Sequence, residues 1–182
     1  MIYHLELPLT KEALLPLGIR DVCSLSGDLY TARDAAHRRL AEGFSLGLAP
    51  PFDLRQAIIF YAGPCPPKPG QVSGSIGPTT SLRMDAYVES MLQQGISAMI
   101  GKGDRSPFVA ELCREYGAVY FLGIGGAAAL LASQVQQVEL IAYEDLGTEA
   151  IRRLKVREMK VIVGIDTKGR ELTAEEIPKY RR

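Results

Sequence analysis

The sequence is poor in the features that most readily assign a function. Neither sign of charge is in excess: 21 acidic residues balance 21 basic ones. That excludes a nucleic-acid binder relying on a broad basic surface, though not a local cationic pocket, because net charge is a sum over the whole surface. Cysteine is scarce. Cys23, Cys65 and Cys113 lie far apart in no metal-ligand spacing, and an odd number with no secretory leader fits free thiols in a reducing cytoplasm. Only two histidines occur, His4 and His37, and no carboxylate cluster accompanies them, so no metal ligand is assigned to this chain. No run of about eighteen apolar residues exists to span a membrane. The P-loop spacing is missing around Lys102. Gly123-Ile124-Gly125-Gly126 lacks the Gly-x-Gly-x-x-Gly spacing, and a small-residue helix packing closely on a sheet accounts for it equally well.

What is present is an apolar fraction of 47% in 182 residues, enough to bury a core without staples. Strand-like and helix-like segments alternate. Strands are expected over 2–9, 21–27, 57–63, 97–100, 118–122, 138–143 and 160–165. Helices are expected over 31–42, 84–94, 107–116 (Ser106-Pro107 as N-cap and N1, Gly117 as stop) and from Gly126 to about Ser133. Pro64 to Ser75 is an irregular connection, and Asp166-Thr167-Lys168-Gly169 a tight turn. The basic tail from Ile177 is expected to be loosely held. The pattern gives an α/β domain, with residues 1–182 as one unit.

Gly77-Pro78-Thr79-Thr80-Ser81-Leu82-Arg83-Met84-Asp85 carries the most chemistry. It places two hydroxyls, a guanidinium and backbone N–H groups at the expected start of helix 84–94, where unpaired donors favour anions. An arginine can grip a carboxylate through two parallel hydrogen bonds. The plainer alternative is that Thr79 or Thr80 only caps the helix. However, a cation in the first turn opposes the helix dipole, which argues for a task. Gly101-Lys102-Gly103-Asp104 follows a strand, where open α/β sheets gather ligands; its plainer alternative is an exposed lysine in a turn. In Thr31-Ala32-Arg33-Asp34-Ala35-Ala36-His37-Arg38, Arg33 and His37 share a helix face, and Asp34 and Arg38 read as a surface ion pair.

With Tyr30 to Arg39, Gly77 to Asp85, Gly101 to Asp104, Gly125 to Ala129 and Glu144 to Ile151 taken together, the chain resembles the β subunit, or C-terminal domain, of the class I iron–sulfur hydro-lyases. These are the oxygen-sensitive fumarases and the L-tartrate dehydratases. The resemblance implies a swivelling β/β/α three-layer domain and reversible hydration of fumarate to L-malate. It implies catalytic roles for Thr79, Lys102 and Asp104, and substrate binding by Arg33, Thr79, Thr80, Arg83 and Lys102. It further implies a 4Fe–4S cluster ligated by a partner α subunit and not by this chain, an α2β2 assembly and a dicarboxylate substrate. Nucleic acid and membrane are not implied as partners. Thr79 is the expected proton-transfer hydroxyl, Arg33 and Arg83 the carboxylate clamps, and Lys102 the charge that neutralises an aci-carboxylate. Asp104 favours fumarate over tartrate. An L-tartrate dehydratase β subunit and a non-catalytic dicarboxylate-binding module are the alternatives.

Overall fold

The computed structural model describes residues 2–124 and 126–181. Among the described residues the strands are β1 (Ile2–Glu6), β2 (Val22–Thr31), β3 (Ile58–Phe60), β4 (Ala98–Gly101), β5 (Val119–Gly123), β6 (Val135–Ala142) and β7 (Ile151–Ile165). The α-helices there are α1 (Lys11–Leu14), α2 (Asp34–Ser45), α3 (Asp85–Gln93), α4 (Pro107–Tyr116), α5 (Ala128–Ser133) and α6 (Leu172–Tyr180), with 3₁₀ turns at Ser81–Met84 and Glu144–Glu149. The architecture is mixed α/β with a sheet at its centre.

β1 to β5 are parallel neighbours in chain order. β7 then runs antiparallel to β5 and β6 and also to β2, so the pairing β2–β3–β4–β5–β7 returns to β2 and closes a ring. A register shift between Leu25 and Gly27 lets one long strand follow both halves of β2. Side chains alternate across strands, and that alternation separates two cores. Ile58 and Phe60, Ala98 and Ile100, Val119 and Phe121, with Leu154, Val156 and Val161 of β7, fill one. Ile59, Tyr61, Met99 and Tyr120 point the other way, against Ala36 and Leu40 of α2, Val88 and Met91 of α3, and Val109 and Cys113 of α4.

Most expected elements form, and the differences have physical reasons. α4 keeps its expected span and ends at Gly117 in the left-handed conformation, φ 66°, which costs glycine little. β7 begins nine residues before the expected Lys160, because Arg152, Arg153, Lys155, Arg157 and Glu158 give its first half a charged, solvent-facing edge. There Arg153 pairs with Glu139 and Asp28 across the neighbouring strands, as cross-strand pairs do. β2 extends past Gly27 to Thr31, which delays α2 to Asp34. Ile177 to Tyr180 continue α6 with every side chain exposed, and the helix meets the rest of the chain through the Arg20–Glu176 ion pair. Pro64–Ser75 folds back on itself, Cys65 N–H donating to Ser75 O at 3.0 Å and Gly74 N–H to Cys65 O at 3.2 Å. Among the described residues no helix is long and apolar enough to cross a membrane.

His37 of α2 is buried. Its ring lies edge-on to Tyr61 at 5.3 Å, and its Nδ1 is 2.9 Å from the Arg33 carbonyl oxygen. Burial holds its pKa at about 4, against the ordinary 6.5. The unfolded chain therefore binds this proton first, and the contribution of neutral His37 is complete above pH 6.5 and lost as pH falls through about 4. At about 1.4 kcal/mol per unit the loss approaches about 3 kcal/mol. In urea denaturation from pH 7.5 to 4, the wild type should lose that much more stability than His37→Gln; parallel pH curves would refute the assignment.

Candidate functional site

The C-terminal ends of the parallel strands β2, β3 and β4 place the site. After β3, Thr79 N–H donates to Tyr61 O at 2.7 Å, and Ala62 bridges Pro78. Residues 78–81 therefore lie as a strand-like strip beside the end of β4. Thr80 bridges Lys102 in parallel register, Ser81 N–H donates to Lys102 O at 3.0 Å, and Lys102 N–H reaches Thr79 O at 3.3 Å. The main chain itself thus joins the two polar turns that lie about twenty residues apart in sequence. The close approach depends on Gly101, where a Cβ would stand 1.8 Å from Ser81 Oγ.

This geometry corrects the expectation of an anion site at a helix N-terminus. The first α-helical residue is Asp85, preceded by a 3₁₀ turn, and neither Thr80 nor Met84 makes a side-chain cap bond. The N–H groups of Thr79 and Ser81 serve the β-like bridges instead. The Thr79 hydroxyl does not cap; it accepts from Arg83 Nη2 at 2.6 Å.

Arg33, Arg83 and Thr79 come together. Arg83 Nε is 3.3 Å from Asp34 Oδ1, and Arg33 Nη2 is 3.3 Å from Glu149 Oε1 and 4.0 Å from Asp34 Oδ2. Asp34 is therefore not the partner of Arg38; the turn from β2 into α2 aims it at the two arginines. Glu149 also accepts from Ala35 N–H at 3.0 Å. Its loop is held by the two-pronged Arg39–Asp145 contact at 2.7 Å and by Arg152 Nη2 donating to Gly147 O at 2.8 Å. Arg83 is about half exposed and Arg33 mostly covered. Arg33 Nε and Asp34 Oδ2 are buried without a hydrogen-bond partner among the described residues, an uncommon state for such atoms.

Lys102, Gly103 and Asp104 are exposed, as is Thr80, which the bridge sets beside Lys102. Asp104 stands at the far end of its turn, where its charge adds to burial in raising the pKa of Glu171. Beneath the turn lies a layer that sequence reading did not assign to the site: Ser81, Asp85, Arg105 and Tyr120. Glu149 and Asp34 were within noticed segments, but their partners are distant in sequence and carry no local signal. The cavity of about 330 Å³ lined by Arg39, Leu40, Phe44 and Tyr143 touches none of the expected site residues, so the cluster is an open face.

The cysteines do not suit an iron–sulfur cluster. Cys23 lies in one core and Cys113 in the other, while Cys65 is exposed. Burial pushes the thiols of Cys23 and Cys113 up to about 12, so both stay protonated, whereas a ligand must be thiolate. Among the described residues no group of three or more His, Cys, Asp or Glu side chains is placed to hold a metal ion.

Fold and cluster together define a mixed α/β chain in which two arginines meet carboxylates, and a threonine hydroxyl accepts from one of those arginines, at one end of a parallel sheet. The family model of the fumarase C-terminus matches residues 2–176, and the chain belongs to that family. It is 39% identical over 174 residues to the anaerobic class I fumarate hydratase of Escherichia coli, covering 93% of this chain and 32% of that enzyme. It is 39% identical over 166 residues to the aerobic class I fumarate hydratase of the same organism, covering 88% of this chain and 30% of the enzyme. To the L(+)-tartrate dehydratase subunit beta of Escherichia coli it is 38% identical over 176 residues, covering 94% of this chain and 86% of that subunit. The chain thus spans about a third of the fumarate hydratases it matches, and most of the tartrate dehydratase subunit.

Gly101→Ala tests the join between the two turns. The added methyl meets the Ser81 hydroxyl and Tyr61 ring and should cost about 1–3 kcal/mol of stability, the usual range for overpacking. Chemical denaturation showing no loss would mean the strip at 78–81 is not seated against β4.

Proposed function

We propose that residues 1–182 act as one domain, the β subunit of a two-chain class I fumarate hydratase that interconverts fumarate and L-malate. The observation that carries the reading is the meeting of Arg33, Arg83 and Thr79 around Asp34 and Glu149, beside the main-chain join to the Lys102 turn, with a buried Arg33 N–H lacking an acceptor among the described residues. The two side-chain cores support a three-layer β/β/α domain, which in this reading swivels to close its cationic face against a partner. The partner is a cluster-bearing α subunit in an α2β2 assembly; the 4Fe–4S cluster is ligated there, since this chain's thiols do not fit it. Free thiols throughout support a cytoplasmic location.

In the malate direction the carbon beside a carboxylate loses a proton, and hydroxide leaves the neighbouring carbon, a departure for which the partner's cluster would supply Lewis acidity; proton and hydroxide together are released as water. Negative charge gathers on that carboxylate as an aci-carboxylate. Groups that meet this charge more strongly in the transition state than in the ground state accelerate the step. Arg33 and Arg83 clamp the two carboxylates, Thr80 adds a hydroxyl contact, and Lys102 neutralises the developing charge, with Asp104 completing its turn. Thr79 Oγ takes the proton. An unassisted threonine is a weak base, but the hydrogen bond donated by Arg83 Nη2 at 2.6 Å favours its ionised form.

The near-complete coverage of a tartrate dehydratase subunit favours L-tartrate as the second reading. Anaerobic reconstitution with the α subunit, assayed on fumarate, L-malate and L-tartrate, separates the two. We expect turnover of fumarate and L-malate by the pair and none by this chain alone. A preference for L-tartrate would replace the first reading with the second, and a chain active alone would end both. In the active pair, Lys102→Ala should lower kcat by about 10²–10³, the usual loss for one charge-stabilising donor.

A further inference from the structure

Arg105 follows the lysine turn directly, yet its side chain is fully buried. Its Nε donates to Asp85 Oδ1 at 2.6 Å, and the other carboxylate oxygen accepts from Ser106 N–H at 2.6 Å. The guanidinium lies over the Tyr120 ring at 4.6 Å and near the Tyr61 ring at 5.4 Å. Its Nη1 and Nη2 have no hydrogen-bond acceptor among the described residues, and the aromatic faces are what meet the charge there. Tyr120 spans the gap above. Its hydroxyl is 2.9 Å from Ser81 Oγ and donates to Gly103 O at 3.2 Å, and Ser81 Oγ accepts from Lys102 N–H at 3.1 Å.

Every polar contact of this layer ends on one of two segments, residues 81–85 or residues 102–106. The first carries Arg83 and continues from Thr79; the second carries Lys102. A buried ion pair contributes little net stability, because desolvation offsets its attraction. What it does supply is direction, since both partners are fixed at once. We infer that Tyr120, Ser81 and the Asp85–Arg105 pair are positioning residues, setting the Lys102 turn at a fixed distance from Thr79 and Arg83. They touch no substrate. They act by keeping the charge of one turn and the hydroxyl of the other in a geometry where misplacement by about 1 Å costs about 10²-fold in rate. This role rests on the hydratase reading for its catalytic part; the structural part stands without it.

Tyr120→Phe and Ser81→Ala test it, since each removes a hydroxyl and leaves the Asp85–Arg105 pair and the aromatic stack in place. Amide hydrogen exchange on the full chain reads the geometry. Loss of about one hydrogen bond should speed exchange at Lys102 about fivefold, with α4 amides unchanged. Kinetics of the reconstituted pair read the consequence: kcat lower by about 10- to 100-fold, with KM changed less than about threefold. A lower melting temperature with kcat intact would make the layer merely structural and overturn the inference, as would unchanged exchange at Lys102. A wild-type pair inactive on all three acids would fail the hydratase reading instead. The exchange data would then decide whether the layer holds the lysine turn.

Discussion

The constraint on which the rest depends is the closure made by β7. This fifteen-residue strand is hydrogen-bonded to β2, β5 and β6, so it turns a parallel sheet with two open edges into a ring. Closure does two things at once. It encloses an apolar interior between opposed strands, and it fixes the outward residues of β3, β4 and β5 as a floor for α2, α3 and α4. Because the strands are parallel, their C-terminal ends lie at one end of the molecule. Arg33, the Thr79–Arg83 strip and the Lys102 turn follow from those ends, brought together by topology rather than by sequence proximity.

The two turns are then joined twice, by different physics. At the surface the link is main-chain: the short ladder between Thr79–Ser81 and Lys102. Below it the link is side-chain and charged, through Asp85 and Arg105. A backbone ladder fixes spacing, while a buried bidentate contact fixes rotation about it. Either alone would leave one degree of freedom to the lysine turn.

Sequence reasoning reached the fold wherever one period dominated. α4, with its Pro107 start and Gly117 stop, was legible in full, as were the apolar strands around Ile58, Met99 and Tyr120. It missed the first half of β7, where exposed arginine and lysine mask Leu154 and Val156, which face one core, and Ile151, which faces the other. It also set Thr79 and Thr80 at the start of helix 84–94, whereas a 3₁₀ turn separates them from Asp85, because a 3₁₀ turn and a strand-like strip leave no composition of their own. For the candidate site, the residues of the two glycine-flanked strings were named from chemistry and resemblance. Their supports were not, since Asp34 faces Arg83, Glu149 faces Arg33 and Tyr120 faces Ser81 across long stretches of chain. Such pairings are set by ring closure and leave no trace in spacing.

The arginines of the open face already rest on acids belonging to their own chain. In the proposed reading, an arriving diacid enters an exchange: it takes over guanidinium contacts that Asp34 and Glu149 relinquish, instead of filling a bare socket. The gain from charge is then a small difference between two similar pairings. Attraction alone would hardly tell one organic acid from another, and selection falls to shape — whether both ends of the visitor can reach both cations while its middle lies against the threonine.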